Sequence, residues 1–151
     1  MPQGANSLYV IIGVLSFIII FIAFRTLRKR RYAEPELIDE MEGHDFEVYC
    51  ADLLQKNGFY DVEITKGSGD FGLDILAERD GVTYGIQCKR YDKPIGVSAI
   101  QQAYAGRDYY GRMVGAVMTN QYFTDAATKM ALGLNILLWD RSFLEDLEDH
   151  V

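Results

Sequence analysis

Three polar side chains of this sequence could do chemistry together: the carboxylate of Asp74, the amide of Gln87 and the ammonium of Lys89. They lie on the two strands of a hairpin that an Asp-Gly turn at residues 80–81 predicts. In the register that this turn sets, Asp74 lies opposite Gln87, and Lys89 lies two residues further along the same face. Because opposed residues on paired strands are about 5 Å apart, the three groups are expected to be close neighbours.

This combination of groups suits the hydrolysis of a phosphodiester. Carboxylate and amide oxygens are hard ligands of the kind that Mg²⁺ takes while it keeps several waters. A bound metal ion lowers the pKa of a water and neutralises charge on a phosphate, and an adjacent ammonium can stabilise the transition state. The alternative is a solvated strand face that carries three unrelated polar residues.

The opposite face of the same hairpin is apolar, and we expect it to face the core. It carries Leu73, Ile75 and Ala77 on one strand and Val82, Tyr84, Ile86 and Cys88 on the other. The two cysteines, Cys50 and Cys88, have no metal-ligand spacing and are expected to be free and buried.

Hydrophobic periodicity and turn residues predict that strands and helices alternate along the rest of the chain. This order is typical of an α/β fold in which a mixed central sheet is flanked by helices on both faces. The predicted elements are a helix at 45–56, a strand at 62–65, a glycine-rich loop at 67–72, strands at 73–79 and 82–89, a helix with Ser98 as N-cap, a strand at 114–119, a helix at 126–132 capped by Thr124, a strand at 136–139 that ends on a core Trp139, and a final helix capped by Ser142.

An uncharged, almost wholly apolar segment runs from Leu8 to Phe24. It lies at the short end of the roughly 17–25 residues that span a bilayer core, and it shows no polar face of the kind that a buried core helix has. We therefore predict a single transmembrane helix over residues 8–25.

Positive charge follows this segment and does not precede it. Because the side rich in Lys and Arg stays in the cytoplasm, residues 1–7 are predicted to be a short extracytoplasmic N-terminus. Residues 26–41 then form a basic juxtamembrane segment and linker, and residues 42–151 form a cytoplasmic domain. The five positive residues are Arg25, Arg28, Lys29, Arg30 and Arg31.

The predicted domain is strongly acidic. All 22 acidic residues follow Phe24, and five of the 15 basic residues lie in the cluster at 25–31, so the rest of the chain has a net charge of about −12. Such a charge is unfavourable for binding nucleic acid. Two local groups of cations could compensate for this negative charge. The first is Lys89, Arg90 and Lys93, at and after the end of the strand at 82–89, and the second is Arg107 with Arg112.

Two stretches, Asp70-Phe71-Gly72-Leu73-Asp74-Ile75 and Gly85-Ile86-Gln87-Cys88-Lys89-Arg90-Tyr91, resemble the paired signature of the Mrr family of restriction endonucleases. This family is a branch of the PD-(D/E)xK nuclease superfamily in which Gln replaces the second acid, the QxK variant. The resemblance covers about residues 42–151, and it continues through residues 43–47, 100–103, 117–120 and 123–127.

The resemblance implies a restriction-endonuclease-like fold and metal-dependent cleavage of DNA. It implies that Asp74 and Gln87 are metal ligands, that Lys89 is the catalytic lysine, and that Glu47 is a supporting acid. Gln87 is a neutral ligand where the wider superfamily has a carboxylate, so the site should bind its metal more weakly.

Other residues near these positions have two interpretations each. Asp70 either supports the site or caps the glycine-rich loop. Gln101, with Lys89, Arg90 and Lys93, is a candidate for DNA contact, and a solvated helix face is the alternative. Three tyrosines recur near helical spacing and are interpreted as core residues, with base contact as the alternative. They are Tyr104, Tyr109 and Tyr110.

The sequence as a whole therefore predicts a membrane-anchored, Mg²⁺-dependent DNA endonuclease, with Mn²⁺ as a substitute metal. Its expected partners are DNA, the membrane and a second copy in a homodimer. A role in defence against foreign or modified DNA is expected. The alternatives are a DNA-binding or protein-binding membrane-tethered module on the same fold, and a nuclease of DNA repair or junction resolution.

The first prediction concerns topology. The charge asymmetry around residues 8–25 predicts that the chain stays in the membrane fraction and that the domain is cytoplasmic. Protease added to intact cells should leave the domain uncut, whereas protease added to opened cells should digest it. A mature protein that is shortened near Phe24 and released from the membrane would show that the segment is a signal peptide instead.

Overall fold

The computed structural model describes Ser16, Ile18, Ile19, residues 35–66 and residues 71–151. Residues Leu37–Val151 form one compact unit. In chain order the elements are α1 (Pro35–Glu40), α2 (Gly43–Lys56), β1 (Tyr60–Ile64), β2 (Ile75–Arg79), β3 (Val82–Lys89), α3 (Val97–Tyr109), β4 (Val114–Thr119), α4 (Asp125–Leu134), β5 (Ile136–Trp139) and α5 (Arg141–Asp149).

The predicted transmembrane helix at 8–25 lies outside the described residues, apart from three positions. These positions, Ser16, Ile18 and Ile19, are helical and exposed. Within the part of the chain that the structure describes, no helix is both long enough and apolar enough to cross a membrane.

The five strands form one mixed sheet, as the sequence predicted, and their order in it is β1-β2-β3-β4-β5. Neighbouring strands are antiparallel from β1 to β3 and parallel from β3 to β5. The ends of four strands and the start of β2 therefore lie along one side of the sheet, which we call the carboxyl edge. It is marked by Ile64, Ile75, Lys89, Thr119 and Trp139.

The hairpin of β2 and β3 has the predicted register, with Arg79 opposite Val82 and Ile75 opposite Ile86. At the turn, Asp80 has φ 53° and Gly81 has φ 76°. Two successive positive φ values are what a type I′ turn requires, and that turn matches the twist of the strands it joins. The Asp-Gly pair therefore fixes which side chains oppose each other along both strands.

One face of the sheet packs against α2 and α5. Ile75, Ala77, Ile86 and Cys88 are buried there, which confirms most of the apolar face that the sequence predicted. An aromatic row covers the β5 side of this face, where the ring centroids of Tyr84 and Trp139 are 6.2 Å apart. The row also includes Phe59, which contacts both rings, and Phe143 of α5, which stacks on Trp139.

The other face packs against α3 and α4. Val117 and Ile136 belong to one buried cluster with residues of both helices. The sheet is therefore covered on both faces, as predicted from the alternation of strands and helices. The helical and loop members of this cluster are Ile95, Ala99, Ile100, Ala103, Ala127 and Ala131.

The helix starts agree with the sequence at α4 only. The Thr124 hydroxyl accepts a hydrogen bond from the Ala127 N–H at 3.2 Å, as a predicted N-cap should. Ser98 and Ser142 were predicted to cap α3 and α5, and both predictions are wrong because each serine lies inside its helix. The N-cap of α3 is Gly96, and that of α5 is Asp140, whose carboxylate accepts from the Phe143 N–H at 3.2 Å.

Of the three tyrosines on and just after α3, Tyr104 and Tyr109 are not core residues. Tyr104 is 37% exposed and Tyr109 is 60% exposed, so the prediction of core packing is wrong for both. Tyr104 lies under the guanidinium of Arg107, 4.7 Å from its ring centroid. Tyr109 stacks on the exposed ring of Phe71, with the two ring centroids 3.9 Å apart. The rings of Tyr109 and Phe71 therefore contact each other at the surface.

Helices α2 and α5 are joined by a hydrogen bond from the Tyr49 hydroxyl to the Glu148 carboxylate. Partial burial raises the pKa of Glu148, and the nearby charges of Glu145 and Asp149 add to this, although the bond from Tyr49 acts in the opposite direction. Burial, together with the bond to Glu148, also raises the pKa of Tyr49.

The second prediction follows from this raised pKa. A carboxyl whose pKa is higher in the folded protein contributes stability below its unfolded pKa, and that stability is lost as pH rises through the folded pKa. Glu148→Gln keeps an acceptor for Tyr49 without the charge. The melting temperature of the variant minus that of wild type should therefore increase from about pH 4 to about pH 7.

Glu63→Gln is the matched control, because Glu63 is an exposed glutamate on β1. Its melting-temperature difference from wild type should stay nearly constant over the same pH range. A Glu148→Gln difference that is equally flat would contradict the assignment.

Candidate active site

Asp74 lies immediately before β2 at the carboxyl edge, and backbone hydrogen bonds hold it from both sides. Its N–H donates to the Ile86 carbonyl at 2.8 Å, and its carbonyl accepts from the Thr65 N–H at 2.9 Å. The Thr65 hydroxyl also donates to the Leu73 carbonyl at 2.7 Å. Asp74 is therefore fixed by β1 and β3 although it is outside the strand itself.

The segment before Asp74 is packed tightly against α3. Phe71 has φ 47° and Gly72 has φ 89°, so the chain turns here and enters β2 from the α3 side. A Cβ at Gly106 would lie 2.9 Å from the Phe71 carbonyl oxygen and 2.5 Å from Leu73 Cγ. Only a glycine at this position of α3 allows the segment to come so close.

Leu73 was predicted on the same face as Ile75 and Ala77, and this prediction is wrong. Its Cδ1 would be 2.4 Å from a Cβ at Gly85, and its Cγ is next to Gly106, so the side chain fills the space between the sheet and α3. The alternation of side chains begins only where β2 begins, at Ile75, and Leu73 precedes it.

The side chains of Asp74 and Gln87 are in contact and buried. Asp74 is 7% exposed and Gln87 is 4% exposed. The Asp74 Oδ2 accepts hydrogen bonds from the Gln87 Nε2 and from the Cys88 N–H, the latter at 2.6 Å. The Gln87 Nε2 also donates to the Cys88 carbonyl at 3.2 Å. These two residues therefore do not belong to a solvated strand face, which was the alternative interpretation.

The donor set of this pair fits a hard divalent cation. It joins one carboxylate to one amide, and a turn of the Gln87 amide about its last bond would place Oε1 where Nε2 now lies. Both oxygens could then face one Mg²⁺, which is often held by few protein ligands and several waters. Within residues 35–66 and 71–151, no group of three or more His, Cys, Asp or Glu could hold a metal.

Lys89 is the last residue of β3 and pairs with Thr119 of β4 at the carboxyl edge. It is half-buried, and by strand alternation it points to the same side of the sheet as Gln87. The hairpin of β2 and β3 therefore places Asp74, Gln87 and Lys89 along one face of the sheet in the predicted order.

Glu47 of α2 approaches the same region from the other face of the sheet. It is hydrogen bonded to His44, with 3.1 Å between Nδ1 and Oε2. The pKa of the buried Cys88 thiol is raised by its hydrogen bond to Cys50, by burial, and then by the negative charges of Asp74 and Glu47. The Asp74 carboxylate accepts a hydrogen bond from the Cys88 N–H, and Glu47 lies on the helix that carries Cys50. Both cysteines are free and buried, as predicted.

The structure distributes the predicted DNA contacts differently. Lys93 and Gln101 are exposed. Arg90 is only 21% exposed, and its guanidinium donates to the Asp39 carbonyl and to the Asp92 carboxylate, the latter at 2.8 Å. Asp70, the predicted supporting residue, lies outside the described residues.

The second predicted group of cations, Arg107 and Arg112, lies at the other end of the sheet. Arg112 donates its N–H to the Arg107 carbonyl at 2.9 Å, just before β4 begins at Val114. Because β4 rises about 3.3 Å per residue, this point is roughly 17 Å from the carboxyl edge. Arg107 also forms an ion pair with Asp108. These arginines are therefore not part of the same local cluster as Lys89.

Two further polar residues at the carboxyl edge were not singled out from the sequence. Thr65 holds Asp74 from β1, and the fully buried Asn120 bonds to the backbone of Tyr91 after β3. The sequence offered one signal for these two residues, because Thr65 ends a predicted strand and Asn120 directly follows one. The sequence alone did not show that these strand ends meet at one edge.

Known proteins resemble this chain in sequence and in fold. A family described as Mrr_cat, restriction endonuclease, matches residues 38–147. No curated protein matches the chain. A solved structure of a protein of unknown function, AF1548, is similar with 27% sequence identity and a TM-score of 0.55 over 64% of this chain and 57% of that one.

Two solved restriction endonucleases share the fold at lower identity. AspBHI, a DNA modification-dependent enzyme, is 15% identical with a TM-score of 0.52 over 83% of this chain. MspJI, solved in complex with a 27-mer oligonucleotide, is 14% identical with a TM-score of 0.53 over 85% of this chain. The chain spans only 33% and 30% of their lengths. The family match covers most of the chain and the fold is that of these enzymes, so the chain belongs to the Mrr-type restriction endonuclease family.

Proposed function

We propose that this chain is a divalent-metal-dependent DNA endonuclease that hydrolyses phosphodiester bonds at the carboxyl edge. The observation that carries the proposal is the buried contact between Asp74 and Gln87, with Lys89 two residues after Gln87 on the same strand. Membership of a restriction endonuclease family supports the same activity. Mg²⁺ is the proposed metal and Mn²⁺ its substitute, because both donors are hard oxygens.

Each residue of the site has a proposed role. Asp74 and Gln87 would hold the cation, which when bound lowers the pKa of a water and neutralises charge on the phosphate. The Lys89 ammonium would bind a phosphate oxygen and stabilise the charge that develops there. Glu47, on the neighbouring helix, would add a second negative charge to the region and support the site.

We also propose that the domain works while tethered to the cytoplasmic face of a membrane. The support is the uncharged segment at 8–25 and the basic cluster that follows it. Tethering raises the local concentration of a weakly binding domain near its target. This would help an acidic domain whose proposed contacts to phosphate are Lys89 and Lys93, with Gln101 as a polar contact.

A protein-binding role on the same fold is the second candidate. The acidity of the chain after residue 31 favours it, because an acidic surface repels DNA and complements a basic protein surface. The two candidates differ in a simple way, since only the nuclease needs the Asp74–Gln87 pair and Lys89 for its activity.

The third prediction tests the nuclease. The full-length chain, purified in detergent, should cut plasmid DNA with Mg²⁺ or Mn²⁺, and chelation of the metal should stop the reaction. Asp74→Ala and Lys89→Ala should each lower the cleavage rate by at least about 100-fold, because each removes a group that acts on the reacting phosphate. Modified and unmodified DNA should be compared in the same assay.

Lys129→Ala is the matched control for Lys89→Ala, because Lys129 is an exposed lysine of α4. It should cut at the rate of wild type. An Asp74→Ala protein that is folded and cuts as well as wild type would refute the site. A wild-type chain that neither cuts nor binds DNA at low salt would favour the protein-binding candidate.

The fourth prediction concerns stability at the same residue. Asp74→Ala leaves the buried Cys88 N–H without its acceptor and removes one of the two acceptors of the Gln87 amide, so it should lower the free energy of unfolding by about 1–3 kcal/mol. Asp74→Asn should cost less, because the amide oxygen can still accept from Cys88. Urea unfolding measures both, with the exposed Asp146→Ala expected to change stability by less than about 0.5 kcal/mol. Equal stabilities of Asp74→Ala and Asp146→Ala would contradict the role given to these bonds.

A further inference from the structure

Asn120 continues the hydrogen-bonding of the sheet beyond the end of β3 and β4. The last backbone pair of these strands is Lys89 with Thr119. After it, the Asn120 side chain bonds to both backbone groups of Tyr91: Oδ1 accepts from the N–H at 2.9 Å, and Nδ2 donates to the carbonyl at 2.9 Å. Asn120 is 0% exposed, so these bonds do not compete with water.

Charged residues from two helices hold Asn120 in this orientation. Its Nδ2 also donates to the Asp39 Oδ1 of α1 at 2.7 Å. Arg141 of α5 forms an ion pair with the same carboxylate and donates from Nε to the Asn120 carbonyl at 2.7 Å. Because Nδ2 has an acceptor in Asp39 and Oδ1 has a donor in Tyr91, the two ends of the amide are distinguished.

The place of this network matters for the catalytic strand. Lys89 has a long, flexible side chain, and holding it in one position requires a fixed backbone on both sides. Before Lys89, the ladder of β3 supplies that restraint. After it, Arg90 is held against the Asp39 carbonyl and Tyr91 is held by Asn120. Further along, Ile95 is bonded to the backbone of Tyr122 and Thr124, so the bonds of Arg90 and Tyr91 are the restraints beside Lys89.

We propose that Asn120, oriented by Asp39, is a positioning residue that fixes the backbone after β3 and thereby places the Lys89 ammonium. Asn120 itself does not contact the reacting phosphate. The proposal rests on the proposed function for the part that concerns cleavage. It also makes Asp39 part of the catalytic unit, because Asp39 is one of the residues that hold Asn120.

The test compares Asn120→Ala with wild type in the full-length chain. Single-turnover cleavage should slow by roughly tenfold or more, because misplacing a catalytic group by about 1 Å can cost 100-fold. DNA affinity measured without a divalent ion should stay within about twofold. A second variant, Asp39→Ala, removes the residue that orients Asn120 and should slow cleavage in the same way. Asp39 is 41% exposed, so this variant should remain folded even where Asn120→Ala is unstable.

Asn57→Ala is the matched control. The Asn57 amide also donates to two backbone carbonyls, those of Leu53 at 2.9 Å and Leu147 at 3.0 Å. These bonds link α2 to α5 away from Lys89. The control should lower the melting temperature and leave the cleavage rate of the folded protein unchanged. Equal slowing by Asn57→Ala and Asn120→Ala would overturn the proposal, because the effect would then be one of general stability.

Two measurements test the positioning without any cleavage. The Tyr91 amide should exchange its hydrogen at least about tenfold faster in Asn120→Ala, as expected for loss of a protecting bond. The second measurement is NMR of the chain after reductive ¹³C-methylation of its lysines. The dimethyl resonance of Lys89, identified by its absence in Lys89→Arg, should shift in Asn120→Ala and not in Asn57→Ala.

These measurements separate the two ideas. If wild type cuts no DNA, the proposed function fails. Faster exchange of the Tyr91 amide and a shifted Lys89 resonance in Asn120→Ala would still support the positioning role. If wild type cuts DNA and a folded Asn120→Ala cuts equally fast, with unchanged Tyr91 exchange, the positioning role fails and the proposed function stands.

Discussion

A carboxylate can be buried at the edge of a sheet only where hydrogen-bond donors replace the water that it loses. Around Asp74 these donors are the Cys88 N–H and the Gln87 amide, and both come from β3. The position of Asp74 against β3 therefore decides whether the site exists. The hairpin register, the bonds from Thr65 and the tight turn before β2 all serve to keep this one residue opposite the same two donors.

The charge of the chain has a structural explanation as well as a functional one. Ten basic residues follow the cluster at 25–31, and ion pairs with acidic neighbours engage Lys56, Arg79, Arg90, Arg107 and Arg141 among the described residues. These cations contribute to packing and loop geometry. The positive charge available to a polyanion is thus concentrated at few positions, of which Lys89 ends the proposed catalytic strand β3 and Lys93 follows it.

The sequence predicted best what depends on local pattern. Alternation and the Asp-Gly turn gave the β2–β3 register and the Asp74–Gln87 contact, and apolar runs gave the bounds of β4 and β5. Predictions failed where a tertiary contact competes with the pattern. Leu73 turns to α3 because glycines open space there. Asn120 was missed as a site residue because its partners, Asp39 and Tyr91, are distant in sequence.

The close approach of α3 to the segment before Asp74 makes the enzyme vulnerable at places that no substrate reaches. A methyl group at Gly85 would overlap with the Leu73 side chain. A methyl group at Gly106 would overlap with Leu73 and with the backbone of Phe71, and the segment could escape only by moving its backbone outward. Asp74 would move with it. In a survey of random substitutions, the interior of α3 and the middle of β3 would therefore tolerate as little change as the proposed ligands, and a map of intolerance would extend well below the catalytic surface.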